Sequence, residues 1–145
     1  MTPLTEHFTL DELIFSSVAQ RRGLDNTPDL ETVSRLTVLA MGLERIRAIL
    51  KAPMHIDSGY RCPGLNTAVG GAKNSAHVDG YAADFTCVAF GPPIAIVHAI
   101  VSQGLAFDQI IQEGTWVHVS FDPRARGQVL SAHFGLNGTT YTQGA

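Results

Sequence analysis

The stretch Phe107-Asp-Gln-Ile-Ile-Gln-Glu-Gly-Thr-Trp-Val-His-Val-Ser-Phe121 decides the fold. Two apolar-rich runs flank Gly114-Thr115, which is the pattern of a β-hairpin with a two-residue loop. In that register Glu113 faces Trp116 and Ile111 faces His118. The period of two then puts Gln109, Ile111, Glu113, Trp116, His118 and Ser120 on one face. Asp108, Ile110, Gln112, Val117, Val119 and Phe121 fall on the other. The second face carries the apolar patch and is predicted to meet the core. The first carries a histidine, a carboxylate and an indole, the equipment of an active-site floor. Glu113 and His118 are diagonal neighbours, about 7 Å apart at most.

Upstream, Ser75-Ala-His-Val-Asp-Gly-Tyr-Ala-Ala-Asp-Phe85 cannot be an amphipathic helix, because Gly80 interrupts it. It predicts a turn carrying His77, a reversal at Gly80 and a strand over 81–85 carrying Asp84. Ala82 shares Asp84's face and leaves room beside the carboxylate. Met54 to Ser58 reads as a further strand, leading into Gly59-Tyr60-Arg61-Cys62-Pro63. A short helix is predicted around Leu65 to Val69.

The helices follow from caps and spacing. Thr9 and Glu12 fit a capping box, predicting a helix over about 10–20. Thr27 can cap and Pro28 fits the first helical position, predicting a long helix over about 28–50 with Leu36, Leu39, Leu43 and Ile46 on its buried side. Pro92 and Pro93 open a helix over about 93–103. The tail after Gly135 is polar and glycine-rich, an edge strand or a frayed end. The sum is a single small α+β domain over 1–145, an antiparallel sheet carrying the site with helices packed against it.

Composition bounds the function. The 145 residues are 45 % hydrophobic and 16 % charged, with a formal net charge of −3. This excludes a disordered chain and a nucleic-acid binder working through a broad basic surface. No stretch approaches the roughly 20 apolar residues of a membrane span, and the first residues lack the pattern of a secretory signal. The expectation is a monomer made in the cytoplasm, without stable membrane insertion. Cys62 and Cys87 are too few for a disulfide scaffold and read as two thiols or one bridge.

His77, Asp84 and His118 supply two imidazoles and one carboxylate, a known ligand set for catalytic zinc. Zinc polarises a carbonyl and lowers the pKa of water toward about 7, so a nearby carboxylate can take the proton. Arg61 follows a strand, where it can stabilise an oxyanion or hold a substrate carboxylate. Trp116 is either core or a wall of the substrate cleft. Asn66 is predicted to bond the glycine-rich backbone nearby. His55 reads as structural, and His98 and His133 receive no function.

Ser75-x-His77-x-x-Gly80-x-Ala82-x-Asp84 resembles the SxHxxGxAxD signature of the zinc-dependent D-alanyl-D-alanine peptidases, the M15 group, in its compact phage-lysis form. Ser58 to Pro63, Leu65-Asn66, Ala68 to Gly71 and Trp116-Val117-His118-Val119-Ser120 agree, as do His7-Phe8-Thr9 with Glu12 and Asp25 to Pro28. The resemblance implies zinc ligands His77, Asp84 and His118. It implies that Arg61 and Ser75 contact substrate or the oxyanion, although Ser75 can equally cap the His77 turn. It also implies peptidoglycan stem or cross-link peptides as substrate, cut at D-Ala-D-Ala or L-Ala-D-Glu. An endolysin without its own signal would reach the wall through a separate membrane pore. Several relatives carry a catalytic base three positions before the last ligand; here that position is Thr115. The hairpin register makes Glu113 the expected base, with Asp79 and Asp108 as runners-up. Without a competent base, the alternative is a non-catalytic zinc-bearing structural or wall-binding phage module.

Overall fold

The computed structural model describes residues 2–145, which form six helices and one six-stranded sheet. The N-terminal part is divided by its caps. Helix α1 (Leu10–Ile14) starts at Thr9, whose hydroxyl accepts from the Glu12 N–H. Phe15 is extended, and Ser16 caps a second helix, α2 (Ser17–Arg22), by accepting from the Ala19 N–H. The single helix expected over 10–20 is therefore two. A second N-cap offers its own satisfied donor, which offsets the cost of breaking the first helix. Gly23 closes α2 in the left-handed conformation at φ 65°.

The long helix α3 (Leu30–Leu50) begins two residues later than expected. Asp29, not Thr27, caps it by accepting from the Thr32 N–H at 2.8 Å, while Asp25 turns back on the Thr27 N–H. Strand β1 (His55–Ser58), helix α4 (Pro63–Ala68), the single-turn helix α5 (Ala76–Asp79), strand β2 (Ala82–Thr86) and helix α6 (Pro93–Ser102) follow. The hairpin is β3 (Gln109–Gln112) and β4 (Val117–Ser120). Its register is the expected one: Ile111 pairs with His118 and Gln112 with Val117, and the Glu113 N–H donates to the Trp116 carbonyl.

The sheet order is β1-β2-β4-β3-β5-β6. In the tail, β5 (Gln128–Gly135) and β6 (Gly138–Gln143) form a second hairpin, with β6 as an edge strand. Strand β5 runs parallel to β3, so the sheet expected to be antiparallel is mixed. The crossover from β4 to β5 passes the start of β3, where it is stapled to Asp108. Gln128 donates its N–H to the Asp108 carbonyl, and Arg126 binds the Asp108 carboxylate.

The core lies on the face predicted for it. Leu36, Leu39, Leu43 and Ile46 of α3 pack with Ile96 and Ile100 of α6 against Phe85, Ile110, Val117 and Val119, all fully buried. Gly42 is required in α3, because any Cβ there would enter the Phe121 ring. The helices α3 and α6 thus occupy one face of the sheet and leave the other for the site. Cys62 and Cys87 are both free thiols. Among the described residues no helix is long and apolar enough to cross a membrane.

Candidate metal centre and cleft

Asp84 on β2 stands directly opposite His118 on β4 in the antiparallel ladder. That pairing brings the His118 Nδ1 to 3.0 Å from Asp84 Oδ1. His77 arrives from α5. Its helix is one turn long, capped at Ser75, whose hydroxyl accepts from the His77 N–H, and closed by Gly80 at φ 83°. A side chain at Gly80 would be strained by that φ and pressed on Thr32. His77 Nε2 ends 3.4 Å from Asp84 Oδ1. Candidate ligand atoms of His77, Asp84 and His118 all lie within 4.8 Å of one another.

The His77 ring is held from behind. Its Nδ1 donates to the Gly59 carbonyl at 2.7 Å, and the Arg61 N–H donates to the His77 carbonyl at 3.1 Å. The segment after β1 and helix α5 thereby clamp each other. Gly59 fits because a Cβ there would strike the Leu13 carbonyl. Buried Asn26 fastens the same segment: its amide donates to the Ile14 and Tyr60 carbonyls, and its oxygen accepts from the Cys62 N–H. The sequence reading singled out only the segment Asp25 to Pro28 and assigned Asn26 no role of its own, since an asparagine before a helix reads as a turn residue.

These contacts test the fit of a metal. Burial pushes the His77 pKa down, so the ring is neutral with its one proton on Nδ1. Its Nε2 then aims a lone pair at a carboxylate oxygen. The Asp84 carboxyl is held well below the usual range; burial opposes this, and the hydrogen bond with His118 outweighs it. Lone pairs from an imidazole and a carboxylate converging at 3.4 Å repel each other, and a cation removes the repulsion. The donor set, two nitrogens and one oxygen with a backbone carbonyl behind one imidazole, suits zinc.

The triad opens into a cleft of about 650 Å³. Gln109, Ile111, Glu113, Trp116, His118 and Ser120, the face predicted from the hairpin period, all line it. Burial, then the Asp84 charge, raises the Glu113 pKa. Arg61 also lines the cleft, and its guanidinium reaches Ser75 Oγ at 3.4 Å. Its pKa is lowered by burial, with Asp84 and Glu113 acting in the opposite sense. Ser75 therefore both caps α5 and touches Arg61. Trp116 is a cleft wall, packed against Phe134 with ring centroids 6.3 Å apart. Its indole N–H and the Arg61 Nε–H are buried without a hydrogen-bond partner among the described residues.

The other candidates lie elsewhere. Thr115 is exposed at the hairpin tip and borders a separate depression with Pro92 and Pro93. Asp79 is exposed on α5 and lines neither the cleft nor the triad. Asp108 is buried and its carboxylate is committed to Arg126 and Ser120. Asn66 bonds the Ala72 carbonyl, as expected. His55 is exposed beside Asp57, His98 binds the terminal Ala145 carbonyl, and His133 binds Thr142. The sequence reading missed Thr139 and Tyr141, cleft residues from the tail hairpin.

Two imidazoles and a carboxylate at the foot of an open cleft, with a second carboxylate on the same face, define the class: a metal-dependent hydrolase site of the zinc peptidase type. The sequence matches the Peptidase M15 family over residues 6–120, and the chain belongs to that family. No curated protein matches the chain.

Proposed function

We propose that this chain is a zinc metallopeptidase that hydrolyses peptide bonds in peptidoglycan stem or cross-link peptides, at D-Ala-D-Ala or L-Ala-D-Glu, in the role of a phage endolysin. In that role it is made in the cytoplasm and meets the wall after release through a separate membrane pore. The observation that carries the reading is the coincidence, in one cleft of an M15-family chain, of the His77–Asp84–His118 triad with Glu113.

His77, Asp84 and His118 would hold the zinc, which would supply Lewis acidity to polarise a carbonyl and acidify water. Glu113 is the general base. Its raised pKa moves it toward neutrality, where a carboxylate accepts and returns a proton more effectively. Arg61 offers a half-buried guanidinium to the negative charge that develops on the scissile carbonyl, or to a substrate carboxylate. Ser75 positions that guanidinium, and Trp116 forms a wall against which the peptide lies.

A second reading is a non-catalytic zinc-bearing structural or wall-binding module. Thr115, exposed and without a group able to act as base at neutral pH, is the observation that favours it. Glu113→Gln separates the two. Zinc content should stay at the wild-type level, while release of stem-peptide fragments, read by mass spectrometry, falls by about 10²- to 10⁴-fold. Undiminished cleavage by the variant removes Glu113 from the mechanism. Zinc-loaded wild-type protein that frees no fragments from several peptidoglycan types leaves the non-catalytic reading.

A further inference from the structure

The family match ends at residue 120, yet the cleft does not. Leu130, Thr139 and Tyr141 line it, and all three come from the β5–β6 hairpin. Register explains how. Ile111 pairs with Leu130, Leu130 with Gln143 and Ala132 with Tyr141, so the face bearing Glu113 and His118 continues across β5 to β6. The tip of the metal-bearing hairpin is docked to the tail hairpin by the Trp116–Phe134 contact. The lining combines two kinds of chemistry. Arg61, Arg124 and Arg126 bring cationic groups to the cleft, whereas Leu130, Trp116 and Tyr141, all from the sheet hairpins, bring large apolar surface and its one phenol.

We propose that the β5–β6 hairpin is the specificity wall of the cleft, and that Tyr141 holds the peptide there. Its phenol donates to a peptide carbonyl, and its ring, with Trp116 and Leu130, receives an uncharged side chain. The charged end of the substrate lies toward Arg61. This rests on the peptidase reading above. A phenol with an ordinary pKa of about 10 keeps its proton and remains a donor at neutral pH. The side chain is 52 % exposed, so it serves the fold little and is accessible to a ligand.

The test is binding by calorimetry to zinc-loaded protein, with two probes that both ligate zinc: acetohydroxamate, which is too small to reach the wall, and alanyl-D-alanine hydroxamate, which extends along the cleft. Tyr141→Phe should weaken the dipeptide hydroxamate about fivefold, the worth of one neutral hydrogen bond, and Tyr141→Ala about twentyfold. Acetohydroxamate affinity and melting temperature should not move. Unchanged dipeptide affinity in both variants overturns the inference. So does an equal loss for both probes, which would place the effect at the metal, and so does failure of the wild-type protein to bind the dipeptide probe more tightly than acetohydroxamate. A wild-type protein that shows the full binding pattern but frees nothing from peptidoglycan refutes the proposed substrate and upholds the wall.

Discussion

Asp84 and Asp108 are two carboxylates on neighbouring parts of one sheet, 16 % and 0 % exposed, and both are held ionised below the usual carboxylate range. Their surroundings are opposite. Asp108 has a cation from its own chain: Arg126 grips it through Nε and Nη2, both at 2.9 Å, and Ser120 donates a further hydrogen bond. Asp84 faces two imidazoles, one of them neutral with its proton turned away to Gly59. A buried carboxylate whose charge is balanced internally serves the fold. One whose balance must come from outside marks a ligand site.

Three experiments press on that difference. The largest effect is expected at Asp84. Asp84→Asn should abolish zinc-dependent activity, with a loss above about 10³-fold, since a ligand counts for more than the 10- to 100-fold of its supporting shell. At zinc 100-fold above its dissociation constant the wild-type protein gains about 2.7 kcal/mol, or about 5–10 °C in melting temperature. The variant should lose this gain, yet without zinc it should melt no lower than wild type, because the amide can donate to the lone pair that Asp84 repels. A metal-free variant that melts well below wild type would show that Asp84 is structural too.

Arg126→Ala should cost about 3 kcal/mol in chemical denaturation, with or without zinc, because it strands Asp108 as a buried charge. If the cost disappears when zinc is added, the two carboxylates are not independent.

The smallest effect is in the pH dependence. The Arg126 guanidinium holds the Asp108 pKa down to about 2, against about 3.9 in an unfolded chain. A depressed carboxylate stabilises the fold fully above its unfolded pKa, and the gain is lost as pH falls from about 4 toward 2. The amount is about 2–3 kcal/mol at 1.36 kcal/mol per unit. Stability of metal-free Asp108→Asn should vary less over that window than wild type. Parallel curves would mean that the acid loss arises elsewhere, Asp84 first.

The hairpin that carries His118 was legible because three local signals agree: a glycine-containing two-residue loop, a period of two and a contrast between faces. Its register gave both the core side and the Glu113 face. The triad was legible because its spacing is written into 75–84 and 116–120. The split at Phe15 was not, since the apolar stripe runs through it and only the competing Ser16 cap decides. Nor was the position of β5. Its sequence is mixed and its side chains are mostly half-exposed, and its partner β3 is reached by a parallel crossover. Such a pairing depends on the Asp108 staple, a contact spanning eighteen positions that no local window contains. The cleft wall was missed for that reason: Tyr141 joins the site only through a strand whose place is set by tertiary structure.

The chain has a single tryptophan, and it is Trp116. Its ring sits where the metal-bearing hairpin meets the tail hairpin, beside Phe134 and at the edge of the cleft. Excited at the long-wavelength edge of the indole band, where tyrosine does not absorb, the protein emits from one reporter at the edge of the cleft a bound peptide would fill. Occupancy of the cleft can be followed in the unlabelled native chain, and a change in signal needs no division among competing fluorophores of the same kind.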